Sequence, residues 1–280
     1  MPWSERQAAL LRGMGLRLWA PPAAPPPVAD APVPPATLAA DSPRPRPRSD
    51  VPPTPAVPVA RAPVPGAPVP PAQPAPLAVG RADVSTLDWP ALRQSVADCR
   101  ACSLCQSRRQ TVFGTGHPHA QWLLVGEAPG EKEDEQGEPF VGAAGQLLDR
   151  MLAALALTRA EDGPQPPEQR VYITNTLKCR PPRNRNPSAE ELATCEPFLV
   201  RQVAMLRPRL ILALGRFAVQ ALLRSDEPIG KLRGRVHRYE GVPVIVSYHP
   251  AYLLRSPHEK AKAWEDLCLA ASVFEAGAVP

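Results

Sequence analysis

Two periodicities alternate along the second half of the chain. Short apolar runs bounded by glycine or turn residues read as buried strands at Trp122 to Val125, Val171 to Thr174 and Arg209 to Leu214. Between them the period lengthens to that of a helix. Gly145 to Leu157 has helical spacing. Ser188 opens a second helix, with Glu191 three residues on in a capping-box pattern, and this helix continues to about Arg207. Arg216 to Leu223 follows the third strand as a further helix. Val236 to Tyr239 and Val242 to Ser247 suggest a hairpin, and a last helix spans about Glu259 to Phe274. This order predicts an α/β fold, a parallel sheet covered by helices on both faces. In such sheets the site lies at the carboxyl ends of the strands.

Composition divides the 280 residues into three parts. Of 40 prolines, more than half lie between Pro21 and Pro76. Residues 21–85 therefore predict an extended, disordered Pro/Ala-rich linker that cannot bury enough surface to offset chain ordering. Residues 86–280 have the size of one globular domain. Ahead of the linker, residues 1–20 form a short peptide with Leu10, Leu11, Met14 and Leu18 at helical spacing, weakened by Gly13 and Gly15. Such a peptide orders on a partner. Net charge is +5 with a pI near 9.0, compatible with a polyanionic partner without requiring one. No apolar run reaches the length of a membrane span. Glu5, Arg6, Arg12 and Arg17 interrupt any signal-peptide pattern, so a cytoplasmic location is expected. Thiols stay reduced there, and clustered cysteines read as metal ligands.

Cys99 and Cys102 form a C-x-x-C ahead of the sheet. Cys179 follows the second strand and Cys195 lies inside the next helix. Four thiols in two groups suit tetrahedral zinc or a cubane iron–sulfur cluster, and spacing alone does not decide. Cys105 leaves open which two of Cys99, Cys102 and Cys105 serve. Cys268 sits on an apolar helix face and reads as core. The expected role is to pin the N-terminal entry segment to the loop after the second strand.

Three motifs fall near the predicted strand ends. GEAPGEKED (Gly126 to Asp134) turns sharply and exposes backbone N–H groups; Glu127, Glu133 and Asp134 are candidates to orient a water or balance a cationic transition state. It matches neither a dinucleotide nor a Walker A fingerprint, which argues against NAD or ATP. Phe140, among loop residues, can stack on a planar base. Asn175 at a strand end offers a donor and an acceptor side by side. KCRPPRNRNP supplies Lys178, Arg180, Arg183 and Arg185 as phosphate contacts. In YHPAYLLR, a neutral His249 can stabilise an oxyanion, and Leu253, Leu254 and Arg255 form an apolar wedge with a phosphate contact.

As a set, CxxC, FGxG, VGEAPGxxED, GxPFVGxAGxLLD, YITNxxKCRPPxNRxP, LRG and YHPAYLLR resemble the family 4, iron–sulfur uracil-DNA glycosylases from about Asp98 to Leu269. The resemblance implies a three-layer α/β/α sandwich around a four-stranded parallel sheet. It implies a [4Fe–4S] cluster on Cys99, Cys102, Cys179 and Cys195, with Cys105 spare. It implies hydrolysis of the N-glycosidic bond of deoxyuridine in DNA, releasing uracil in base-excision repair. Phe140 then stacks on the flipped uracil, Asn175 reads its polar edge, and His249 stabilises charge on the departing base. Gly126, Glu127, Ala128 and Gly130 line the sugar and the water, with Glu133 supporting the loop or the water. Where the best-known uracil glycosylases carry a water-activating Asp, this chain has Glu127 and Ala128, so no general base is assigned. The KRRIH-type insertion of covalent-trapping relatives is absent, and irreversible attachment to DNA is not expected. The expected partner is uracil-containing DNA, bound by a monomer. The pattern within residues 3–19 distantly resembles the N-terminal peptide of the clamp-loader psi subunit, which implies a replication partner. The rival reading is a non-catalytic, cluster-braced DNA-binding module tethered to the replication machinery.

Overall fold

The computed structural model describes residues 83–277. The expected N-terminal peptide and nearly all of the expected linker lie outside the described residues. Val84, at the end of that linker, is buried against Leu92 and Leu104.

The described chain forms β1 (Thr115–Gly116), β2 (Trp122–Gly126), β3 (Val171–Asn175), β4 (Leu210–Leu214), β5 (Val236–Tyr239) and β6 (Val242–Ser247). The helices are α1 (Trp89–Ala97), α2 (Glu131–Gln136), α3 (Ala143–Ala154), α4 (Ala189–Leu206), α5 (Arg216–Leu223), α6 (Ile229–Leu232), α7 (Pro250–Arg255) and α8 (Lys260–Ala276). One six-stranded sheet runs β1-β3-β2-β4-β6-β5. The inner pairings β3–β2, β2–β4 and β4–β6 are parallel. The sheet is wider than the four strands expected, because β1 and β5 add antiparallel edges. Two-residue β1 carries almost no periodic signal, and the hairpin partner β5 was legible only as part of a hairpin.

Side chains alternate across the inner strands and so build two cores. Leu124, Ile173, Leu212 and Ile245 face α3 and α8. Leu123, Val125, Ile211, Ala213, Val244 and Val246 face α4 and α5. Inner strands buried on both faces give the near-continuous apolar runs seen in the sequence. A third cluster, Leu92, Val96, Leu104, Leu177 and Phe198 with Cys179 and Cys195, docks α1 and the cysteine segment beside α4. Helix α4 starts on the expected capping box, with Ser188 and Glu191 bonded reciprocally. Helices α1, α2, α6 and α7 are additions to the sequence reading. The last three have six residues or fewer, too short for a periodic signal. Among the described residues no helix is long and apolar enough to cross a membrane.

Candidate active site

The carboxyl ends of β2, β3, β4 and β6 open into one cleft of about 630 Å³. Its lining includes Glu127, Ala128, Gly130, Glu133, Phe140, Asn175, Arg185, His249 and Arg255. The position follows from topology: β2 ends at Gly126 opposite Asn175, and β6 ends at Ser247, two residues before His249.

Asn175 is 2 % exposed, and its Oδ1 has no hydrogen-bond partner among the described residues. A buried carbonyl oxygen left without a donor costs about 1–3 kcal/mol, so such a group points to a ligand that completes it. Gly126 lies where Asn175 meets Phe140. A Cβ there would stand 2.3 Å from Asn175 Oδ1 and 2.7 Å from the Phe140 ring.

Phe140 has φ +57°, a left-handed conformation unusual for a bulky residue. Its backbone is pinned from three sides. Glu133 Oε1 accepts from the N–H groups of Val141 (2.9 Å) and Gly142 (3.1 Å). Arg159 donates to the carbonyls of Pro139 (2.9 Å) and Phe140 (3.2 Å). Gly145 lets α3 approach so closely that a Cβ would fall 1.7 Å from the Phe140 carbonyl oxygen. Glu133 is therefore a loop-positioning residue whose carboxylate is engaged by backbone.

The Phe140 and His249 rings stack with centroids 5.3 Å apart and planes 28° apart. They already touch, so a third plane does not fit between them. His249 Nδ1 accepts from the Ala251 N–H at 3.2 Å. That bond fixes the neutral tautomer with its proton on Nε2. Burial pushes the imidazole pKa down to about 4; Arg255 adds to the depression and Glu133 opposes it. His249 is neutral at physiological pH, a hydrogen-bond donor without a charge. Burial raises the Glu127 carboxyl above its ordinary value, while Arg216 and Arg255 restrain the rise.

The chain matches the family model for the uracil DNA glycosylase superfamily over residues 113–268. It is 40% identical over 191 residues to the type-4 uracil-DNA glycosylase of Pyrobaculum aerophilum, covering 65% of this chain and 93% of that protein. To the type-4 enzyme of Archaeoglobus fulgidus it is 44% identical over 172 residues, 59% of this chain and 82% of the relative. To that of Sulfurisphaera tokodaii it is 40% identical over 184 residues, 62% and 80%. The chain belongs to the uracil-DNA glycosylase superfamily, in its type 4.

In this family member the remaining expected contacts separate into two groups. Arg255 lines the cleft and Leu254 is 42 % exposed beside exposed Tyr252. Leu253, expected as part of a wedge, is instead fully buried in the core under α7. The turn of α7 puts neighbours on opposite sides, which the LL pair alone did not reveal. Arg183 is exposed and outside the cleft lining. Arg185 lines the cleft, but its guanidinium grips buried Glu191 at 2.8 and 2.5 Å. Arg180 bonds Asn184 Oδ1 at 2.8 Å. Lys178, expected to touch phosphate, is 1 % exposed. Asp134, expected near water, is buried and accepts from the Arg109 N–H at 3.0 and 3.1 Å. Arg216 was missed by sequence reading; it lines the cleft directly after Gly215 at the end of β4. The strand-end rule pointed to that position.

Cys99, Cys102, Cys105, Cys179 and Cys195 all line a single cavity, so the lining does not select between Cys99, Cys102 and Cys105. Among the described residues no three His, Cys, Asp or Glu side chains close on a single metal ion. The lining and the single-ion geometry thus disagree for zinc. A cubane places each thiolate on a different iron and needs four thiols around a cavity, so the lining is the relevant test. Donors already face two of the sulfurs: Arg108 to Cys179 Sγ at 3.0 Å and the Lys178 N–H to Cys195 Sγ at 3.3 Å. Burial pushes the Cys195 thiol up to about 12 and raises Cys102 and Cys179. Such thiols ionise in exchange for a metal cation, so the donor set fits a cluster. Cys268, on α8, packs against the core, as expected.

Proposed function

We propose that the chain hydrolyses the N-glycosidic bond of deoxyuridine in DNA, releasing uracil and leaving an abasic site, as a base-excision repair enzyme. The observation that carries this reading is the unpartnered Asn175 Oδ1 beside Phe140 and a neutral His249. Uracil presents an N–H flanked by two carbonyl oxygens. Asn175 accepts from that N–H through Oδ1 and donates to a neighbouring carbonyl through its amide nitrogen. Phe140 supplies the flat apolar contact that an extruded base loses when it leaves the stack.

In the reaction the electrons of the C1′–N1 bond go to the base, which departs as an anion. His249 donates its Nε2–H to that developing charge. A neutral imidazole serves here because uracil anion needs a hydrogen bond rather than a full proton. Water adds to C1′ and its proton passes to solvent, from which the released uracil anion is reprotonated. Glu127, Ala128 and Gly130 line the sugar and water side of the cleft, and no side chain is assigned as general base. Arg255 contacts phosphate, and Leu254 fills the gap in the duplex.

Cys99, Cys102, Cys179 and Cys195 would hold a [4Fe–4S] cluster, which when bound braces the entry segment against the loop after β3. The visible absorbance of fresh protein separates this cluster from zinc. A cytoplasmic monomer fits the reading. The peptide at residues 3–19 is read as a replication-partner tether; deleting residues 1–20 should weaken capture of clamp-loader components and leave uracil release unchanged.

The decisive experiment is uracil release from U·G, U·A and single-stranded oligonucleotides by cluster-loaded protein. His249→Ala and Asn175→Ala should abolish turnover while DNA affinity persists. Protein that keeps its cluster and releases no uracil would leave only the binding-module reading.

A further inference from the structure

Lys178 stands between the cysteine cavity and the base-reading amide, and the reaction as described does not use it. Its side chain is buried with 1 % exposure. Nζ donates to Thr174 Oγ1 at 2.6 Å, to the Asn175 carbonyl at 2.7 Å and to Gln202 Oε1 at 2.7 Å. The orientation of each acceptor is fixed. Thr174 Oγ1 has two acceptors for its own proton, the Phe113 carbonyl (3.0 Å) and Gln202 Oε1 (3.2 Å), and with either it faces the lysine as an acceptor. The Gln202 amide nitrogen donates to that same carbonyl at 2.9 Å, which turns Oε1 toward the lysine. Three acceptors around one nitrogen match the three protons of an ammonium.

A buried cation requires a negative partner. No carboxylate contacts Lys178 Nζ among the described residues, and the acidic groups facing it are the thiols of Cys195 and Cys179. Its own N–H already donates to Cys195 Sγ at 3.3 Å. Four thiolates holding a cluster would supply the missing negative charge.

We propose that Lys178 is a positioning residue that serves as the buried counter-ion of the cluster and holds the Asn175 backbone, so that cluster occupancy sets the placement of the uracil-reading amide. One residue thereby joins the two sites: its backbone touches a cluster ligand, and its ammonium grips the carbonyl of the residue that meets the base. The inference rests on the glycosylase reading for its second half only.

The test uses cluster-loaded full-length protein and Lys178→Met, which keeps the chain length and removes the charge and donors. Three quantities are read: the cluster's midpoint potential, the rate of visible bleaching under a chelator, and KM and kcat on a uracil oligonucleotide. In Lys178→Met the potential should fall, because a nearby positive charge favours the reduced cluster. Bleaching should accelerate about tenfold and KM should rise about tenfold, the scale set by partners one step removed from a metal. An unchanged potential and bleaching rate would overturn the counter-ion role. An unchanged KM would overturn the link to Asn175. If wild type itself releases no uracil, the glycosylase reading fails, while the potential and bleaching still decide the counter-ion role. Should Lys178→Met not fold, Gln202→Leu removes one acceptor and leaves the charge. It should raise KM while the potential stays near wild type, and an unchanged KM there overturns the link.

Discussion

Gly126→Ala tests the geometry of the base slot with a single methyl group. The added Cβ would meet Asn175 Oδ1 at 2.3 Å and the Phe140 ring at 2.7 Å, whereas ordinary contact begins at 3.4 Å. To relieve both overlaps the amide must retreat by about 1.1 Å and the ring by about 0.7 Å. Neither moves freely. Asn175 ends a central strand and its carbonyl is held by Lys178, while the Phe140 backbone is fixed by Glu133, Arg159 and Gly145. Overpacking of this kind costs about 1–3 kcal/mol of stability, which a domain of this size survives. A misplacement near 1 Å at a reacting site costs about 100-fold in rate. Single-turnover uracil release should therefore fall about 100-fold in Gly126→Ala, with a melting temperature only modestly lowered. A folded variant within about threefold of wild-type kcat/KM would refute the placement of the base against Asn175 and Phe140.

Three further outcomes follow from particular contacts. Leu253→Ala should destabilise the fold by about 2–5 kcal/mol in urea denaturation, whereas exposed Leu254→Ala should leave the midpoint nearly unchanged and slow uracil release from duplex more than from single strands. Glu133→Ala strands two backbone N–H groups behind Phe140; KM should rise more than kcat falls, with about 1–3 kcal/mol lost in stability, and an unaltered KM would remove Glu133 from loop positioning. His249 binds a proton near pH 4 when folded and near 6.5 when unfolded, so the unfolded chain takes up that proton first as pH falls. Its contribution is complete above about pH 6.5 and is lost toward pH 4, by up to about 3 kcal/mol. As pH falls from 7 to 4, wild type should therefore lose up to about 3 kcal/mol of stability relative to His249→Asn in denaturation midpoints; parallel pH dependences would contradict a depressed histidine.

What the sequence made legible follows the strength of each local signal. Strands β2, β3 and β4 are buried on both faces, so their runs are apolar throughout and stand out. Ser188 and Glu191 announced α4 because a capping box needs two residue types at one spacing. Asn175, Phe140 and His249 were readable as candidates because strand ends and loops in an α/β order converge on one side of the sheet. Charge was the poorest guide. KCRPPRNRNP reads as a row of phosphate-binding cations, yet Lys178 is a buried link in the core, Arg185 is bonded to Glu191, and Arg180 to Asn184. The reason is physical: a cation's function depends on its partner, and residue type alone does not say that Lys178 turns inward to Thr174 and Gln202 or that Arg185 turns to Glu191. The same holds for Leu253 and Leu254, identical in type and adjacent in sequence, which the turn of a six-residue helix sends to core and solvent. Patterns of one residue type fix where the backbone goes. The role of a polar side chain is decided by the partner it meets, and at this site that pairing runs from the thiol cavity through Lys178 to the backbone carbonyl of Asn175.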